Sequence, residues 1–442
     1  MKIDRETCRK MTGGLIRFLE DSPTSFHGVA NIAGILGEAG FTELREGEKW
    51  KLAEGGSYYV TRNQSSIISF RIPSRPYSGF QIIASHSDSP TFKIKENPEM
   101  ESEGHYIRLN VEKYGGMLCA PWFDRPLSVA GRLVVREGTR LVSRLVKVDR
   151  DLLMIPNLAI HFNRQVNDGY KYNPQVDMIP LFGEAGAKGT FMKIIAESAG
   201  VAEEDILGHD LFLYSRTPGT VWGADGEFFS CGRIDDLQCA FASLKGFLEG
   251  EPDGSIAVHA VFDNEEVGSG TKQGADSTFL EDTLRRVNGA LGRSEEEYLM
   301  SLASSFMISA DNAHAVHPNL PDRSDPTNRP YMNEGIVIKY NANQKYTTDA
   351  VSAAMFKTLC READVPFQTF ANRSDMPGGS TLGNISNAHV SLNTVDIGLP
   401  QLAMHSPYET AGIRDTCYLT AVAKLFYSTA VKAGESGCYE MI

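Results

Sequence analysis

Ser255-Ile-Ala-Val-His-Ala-Val-Phe262 runs without a break into Asp263-Asn-Glu-Glu-Val-Gly268. A short run of small and β-branched apolar residues, bounded by Asp, Asn and Gly, reads as a strand buried on both faces. Such strands belong to parallel sheets covered by helices, and ligands bind in the crevice outside their carboxyl ends. Glu265 and Glu266 fall in that crevice. Two adjacent carboxylates at the end of an apolar strand repel each other, and their burial is costly unless they are paired or hold a cation.

The same punctuation recurs on either side. Gln81-Ile-Ile-Ala84 ends in Ser85-His-Ser-Asp88, and Ser305-Phe-Met-Ile-Ser-Ala310 ends in Asp311-Asn-Ala-His314. A last run, Ala388–Ile397, reads as a strand shortly before Met404-His-Ser406. Leu237, Ala240, Phe241, Leu244, Phe247 and Leu248 share one helical face, which sets Asp235 at that helix's N-terminus. Met11, Leu15, Phe18 and Leu19 have helical spacing, so two N-terminal helices precede the Gln81 strand. This alternation is that of an α/β fold. Between about Thr91 and Ser230 the texture changes. Gly131–Arg136 and Arg140–Val148 alternate like antiparallel strands with one wet face, and Pro, Asn and Gly gather into long loops between Pro156 and Gly189. The expected division is a catalytic α/β domain made of residues 1–91 and 231–442, with a β-rich domain, 92–230, inserted into it.

Composition narrows the function. The 442 residues suit two domains, and 42% hydrophobic with 22% charged residues is globular composition. A net charge of −13 argues against nucleic acid, and no stretch has the apolar length of a membrane span. The first residues lack a signal-peptide pattern, and the seven scattered cysteines form no C-x-x-C pair, so a cytoplasmic protein with reduced thiols is expected.

One His or Asp after a strand is ordinarily a helix cap or a turn residue. His86, Asp235, Glu265, Glu266, Asp311 and His405 together fit a two-metal hydrolase. Zinc takes imidazole nitrogen and carboxylate oxygen, and two ions about 3.5–4 Å apart need a shared ligand and further terminal ones. An adjacent Glu-Glu pair can supply one ligand and one proton acceptor.

At these positions the chain resembles the aspartyl aminopeptidase family of zinc metallopeptidases. The matching segments are Ala84–Pro90, Arg233–Leu237, Phe262–Ser269, Ser309–Asn319 and Ala403–Ser406, together with Asn157–His161 and Asn341–Tyr346. The resemblance implies a three-layer, zinc-peptidase-like catalytic domain with a mostly parallel central sheet, and an inserted dimerisation domain. It implies two divalent ions per chain, zinc by expectation: His86, Asp235 and Asp311 for one, Asp235, Glu266 and His405 for the other. Glu265 would be the general base and Asp88 would orient His86. His161 would act in a neighbouring subunit's site, and Lys339 would face an acidic substrate side chain. Asp375–Gly383 resembles an active-site loop in which Gly379 and Ser380 would approach the substrate, although a plain turn fits those residues nearly as well. The implied partners are peptides, cleaved after an N-terminal Asp or Glu, and further copies of the chain in dimers that assemble to a dodecamer. The alternatives are a broad-specificity aminopeptidase or deacylase on the same scaffold, and a non-catalytic scaffold or binding protein. For single residues the alternatives are a solvated Lys339 beside a strand and a His161 that caps a loop. His314 and His317 are expected to pack or hydrogen-bond, and His259 and His389 to lie in the core.

Overall fold

All eight residues of Ser255–Phe262, all eight of Gly79–His86 and all five of Phe306–Ala310 are buried. The structure, a computed structural model, describes residues 3–435 and 437–442. The three strands lie side by side and parallel, with Phe262 opposite His86 and Ser309 opposite Ala84, so their carboxyl ends finish at one level. Asn393–Gly398 extends the parallel set beyond Phe306–Ala310. The full sheet has nine strands, edged on one side by Ser66–Arg71, Ser57–Arg62 and Thr42–Leu44 and on the other by Ile336–Tyr340 and Phe367–Ala371.

Alternate residues of these strands enter two cores, as the pleat requires. Ile83, Ala257 and Val261 pack with Leu15, Phe18 and Leu19 of helix Arg5–Asp21 and with Leu237, Phe241 and Leu244 of helix Ile234–Glu249. Ile82, Ala84, Val258 and Ala260 pack on the opposite face with Phe279, Leu284 and Val287 of helix Phe279–Ala290. Helices therefore cover both faces of a mostly parallel sheet.

A second sheet lies between Thr91 and Ser215. Its six strands are antiparallel throughout, in the order Arg140–Lys147, Leu127–Glu137, Ile206–Ser215, Thr91–Ser102, Tyr106–Tyr114, Leu181–Glu184. It has its own core, in which Phe92, Trp122, Leu133 and Leu211 meet Phe191 and Ile195 of helix Phe191–Ala199. A third, five-stranded sheet pairs Phe228–Cys231 with Glu409–Gly412, Cys231 opposite Glu409, and so brings the Asp235 turn to the His405 loop.

Several local expectations are corrected. The two N-terminal helices do precede Gly79–His86, but three further strands lie between them. The run Ala388–Ile397 is a strand only from Asn393; the preceding residues form the turn after helix Leu382–Ser386, and Leu392 N–H is tied back to the Asn387 side chain. His389 is accordingly half-exposed and bonded to Asp276 at 2.8 Å rather than part of the core, whereas His259 is fully buried. Asn157–Ile160 begins an exposed loop.

One close approach fixes the level of Asp311. A Cβ on Gly398 would lie 2.1 Å from the Asp311 carbonyl oxygen, so only glycine lets Asp311 N–H reach Ile397 O at 3.1 Å and Ala313 N–H reach Leu399 O at 2.8 Å. All seven cysteines are free, and no helix among the described residues is long and apolar enough to cross a membrane.

Candidate metal centre

Six residues converge at the carboxyl ends of the three parallel strands. His86 ends its strand, Asp311 follows its own, Glu265 and Glu266 occupy the turn after Phe262, and Asp235 sits where helix Ile234–Glu249 begins. His405 arrives on a tight turn in the left-handed region, φ +67°. The nitrogen and oxygen atoms fall into three groups, in each of which they lie within 4.8 Å of one another: His86, Asp235, Asp311; Asp235, Glu266, His405; and His86, Glu265, Glu266. The first two share Asp235, and its two oxygens face opposite ways. Oδ1 lies 3.4 Å from His86 Nε2, and Oδ2 lies 3.4 Å from His405 Nε2, which is also 3.3 Å from Glu266 Oε2.

Asp88 organises the other side of His86. Its carbonyl oxygen lies 3.1 Å and its Oδ1 3.4 Å from His86 Nδ1, leaving Nε2 turned towards the carboxylates. The same carboxylate accepts the backbone N–H groups of Glu265 and Glu266 at 3.1 and 3.2 Å and the Tyr114 hydroxyl at 2.6 Å.

So much buried negative charge has electrostatic consequences. Burial pushes the Glu265 carboxyl up to about 8, against the pull of His86 and with added repulsion from Asp311 and Asp88. Burial, with repulsion from Asp235, holds Glu266 well above the carboxylate range. Asp311 is raised by burial despite Lys339 beside it. Burial opposes charge on His86, yet Asp235 and Asp88 at its two nitrogens hold its pKa well above the ordinary histidine value. Asp235 is the exception among the carboxylates: burial would raise it, but His405 and His86 hold it below the usual range.

Comparison with known proteins identifies the family. Residues 18–427 match the family described as aminopeptidase I zinc metalloprotease (M18). A probable M18 family aminopeptidase 2 of Clostridium acetobutylicum is 48% identical over 436 residues, covering 97% of this chain and all of that protein. The chain belongs to the M18 family. It is thus a zinc metalloaminopeptidase, a hydrolase. Among solved structures, that of the Ape4 and Nbr1 complex superposes with a TM-score of 0.92 at 36% identity over 96% of this chain and 86% of that one. The S. cerevesiae mApe1 dodecamer gives 0.84 at 26% identity over 96% and 97%.

The donor set of this M18 chain fits zinc. It offers imidazole and carboxylate only, and two of its buried oxygens, Asp235 Oδ1 and Glu266 Oε1, accept no hydrogen bond. Of the other candidates, Lys339 borders the centre and the rest lie outside its donor groups. Lys339 is buried rather than solvated; its Nζ donates to Asn312 O at 2.9 Å and lies 3.5 Å from Asp311 Oδ2. Gly379 and Ser380 are exposed, and Ser380 Oγ donates to Asn384. His161 is exposed on the Asn157–Phe162 loop, outside all three groups. His317 accepts the Asn319 N–H, and His314 sits edge-on to Phe370. The sequence reading missed Tyr114, Asp236 and Glu409, all of which touch the centre. Only Asp236, beside Asp235, carried a signal.

The shifts fix a pH dependence for the metal-free fold. Raised carboxylates and raised histidines each contribute stability that is complete below the unfolded pKa and lost as pH rises through the folded one. For Glu265 that window runs from 4.5 to about 8; Asp235 acts in the opposite sense, as do His27, His259 and His314, whose pKa values burial lowers, but they are outnumbered by the raised carboxylates. Chelator-treated protein should therefore melt at progressively lower temperature from pH 5 to pH 8. Zinc-loaded protein should not, because bound cations replace the protons. Melting curves across that range with and without chelator check this; parallel profiles would contradict it.

Proposed function

We propose that the chain releases single N-terminal residues, Asp or Glu in preference, from peptides with the help of two zinc ions. The observation that carries this reading is the pair of donor groups sharing Asp235, with Glu265 standing beside both. His86, Asp235 and Asp311 would hold one ion, and Asp235, Glu266 and His405 the other. Zinc there would supply Lewis acidity and a water nucleophile near neutral pH. Glu265 takes the proton of the attacking water and returns it to the leaving amine. Asp88 keeps His86 Nε2 turned inward, since its Nδ1 faces the Asp88 carbonyl and carboxylate. Gly379 and Ser380 border the substrate.

Lys339 would read the acidic side chain of the substrate. Its pairing with Asp311 and Asn312 O favours the second reading, a broad-specificity peptidase in which this lysine serves the fold. The mApe1 relative is a dodecamer. We extend that assembly to this chain, with residues 92–230 as the dimerisation domain between catalytic parts 1–91 and 231–442. Leu158, Ile160 and Phe162, exposed to 60%, 47% and 81%, suit a loop that a second copy covers. His161 stands among them and would donate to the oxyanion of a neighbour's substrate. Seven free cysteines suit a cytoplasmic enzyme.

Three experiments test these assignments. Glu265→Gln should retain two equivalents of zinc and lose about 10²–10⁴-fold in kcat, the range for a general base. Glu266→Gln and Asp235→Asn should instead lose zinc, and exchanged phenotypes would reverse the roles. On a panel of aspartyl, glutamyl and leucyl peptides, Lys339→Met should lose the acidic substrates selectively; equal loss on all three would support the broad-specificity reading. Glu265→Gln and His161→Ala chains, each inactive alone, should recover part of the activity when their subunits are exchanged. No recovery after demonstrated exchange would remove His161 from the neighbour's site.

A further inference from the structure

Beside the two donor groups that share Asp235 stand two more buried carboxylates whose oxygens are turned away to main-chain amides. Glu409 accepts Asp235 N–H through Oε2 at 3.1 Å and His405 N–H through Oε1 at 2.8 Å, with Gln401 Nε2 adding a long contact of 3.5 Å to Oε1. Asp236 accepts His86 N–H through Oδ2 at 3.1 Å and Asn312 N–H through Oδ1 at 3.2 Å. Their exposures are 2% and 0%. Each carboxylate thus bridges two segments that are remote in sequence and that each carry, or adjoin, a donor to an ion.

The division between them is selective. Glu409 grips Asp235, which both groups share, and His405, which belongs only to the group completed by Glu266. Asp236 grips His86 and the residue next to Asp311, both on the side of the other group. Bonds from amides to an ionised acceptor are shorter and about twice as strong as neutral ones, and in a water-poor site they hold a loop to its place. A carboxylate is also the one side chain here that accepts at both ends. An isosteric amide presents one oxygen and one NH2, so one of the two gripped N–H groups would face a donor and its segment would be released.

We propose that Asp236 and Glu409 are positioning residues, one for each ion: Asp236 sets the level of His86 and Asp311, and Glu409 sets Asp235 against His405. The inference rests on the two-metal reading above. It predicts that the two ions are loosened separately. Wild-type protein, Glu409→Gln and Asp236→Asn are titrated with cobalt(II) while the visible absorption of each equivalent is followed, and the bound metal is then competed with a chelator. Glu409→Gln should keep one equivalent near wild-type affinity and bind the other about 10–100-fold more weakly. Asp236→Asn should do the same to the opposite ion, so that the spectra of the single retained equivalents differ between the variants. Melting of the chelated proteins reports the fold independently. Should either variant not fold, Glu409→Asp, which keeps the charge but is one methylene too short to span both amides, should give the same one-ion loss as Glu409→Gln. Variants that titrate like wild type, or that lose both equivalents alike, would overturn the proposal. Wild-type protein that takes up no cobalt would instead sink the two-metal reading on which it stands.

Discussion

Mutual repulsion among carboxylates in a small, dry volume is the constraint on which the rest of this structure turns. Asp88, Asp235, Asp236, Glu265, Glu266, Asp311 and Glu409 are gathered at one end of one sheet, where a low dielectric strengthens every like-charge contact. The fold opposes that repulsion with oriented main-chain dipoles. Amide N–H groups of His86, Asp235, Glu265, Glu266, Asn312 and His405 all end on carboxylate oxygens of this cluster. Lys339 is the buried cation beside it, and the two histidines complete the balance. Asp235 Oδ1 and Glu266 Oε1 accept no hydrogen bond, which suits the proposed metal site.

The antiparallel sheet takes part in this arrangement. Tyr114, at the end of one of its strands, donates to Asp88 and accepts from Asn264 Nδ2 at 2.8 Å. Gly115 follows at φ +74° and passes so close to Glu266 that an added Cβ would stand 3.2 Å from Glu266 Cβ. Leu118 N–H then donates to His405 O at 3.1 Å. Within five residues the segment touches the Asp88 carboxylate, the Glu265–Glu266 turn and the His405 loop. A displacement of that sheet would be felt at the centre as a change of shape.

The parallel core and the six converging residues were legible in the sequence because burial on both faces writes itself as continuous apolar runs, and each run stops at a polar residue. Thr42–Leu44, Ser57–Arg62 and Ser66–Arg71 were not: the first has only three residues, and polar residues at the ends and within the other two break up their apolar runs. His389 was misplaced because the apolar residues on both sides of it belong to a turn and a strand that only abut in sequence. The pairing of Lys339 with Asp311 was not legible, because nothing near it in sequence announces that Asp311 lies 3.5 Å away in space. Glu409 and Tyr114 were invisible for the same reason. Residues that act by gripping a distant backbone amide leave no spacing to read, whereas donors to an ion cluster at strand ends that can be counted.

The antiparallel sheet between Thr91 and Ser215 also bears on the order in which the parts of the centre are made. His86 precedes the antiparallel sheet in sequence, and Asp235 and His405 follow it, so a whole sheet is completed between members of one donor group. Contacts of such sequence separation form late, after the loops between them have been closed at an entropic cost. A nascent chain halted anywhere before His405 lacks a member of one donor group, however well its earlier sheets have folded. On the two-metal reading, hydrolytic power is therefore withheld from a growing chain until the His405 turn has been made.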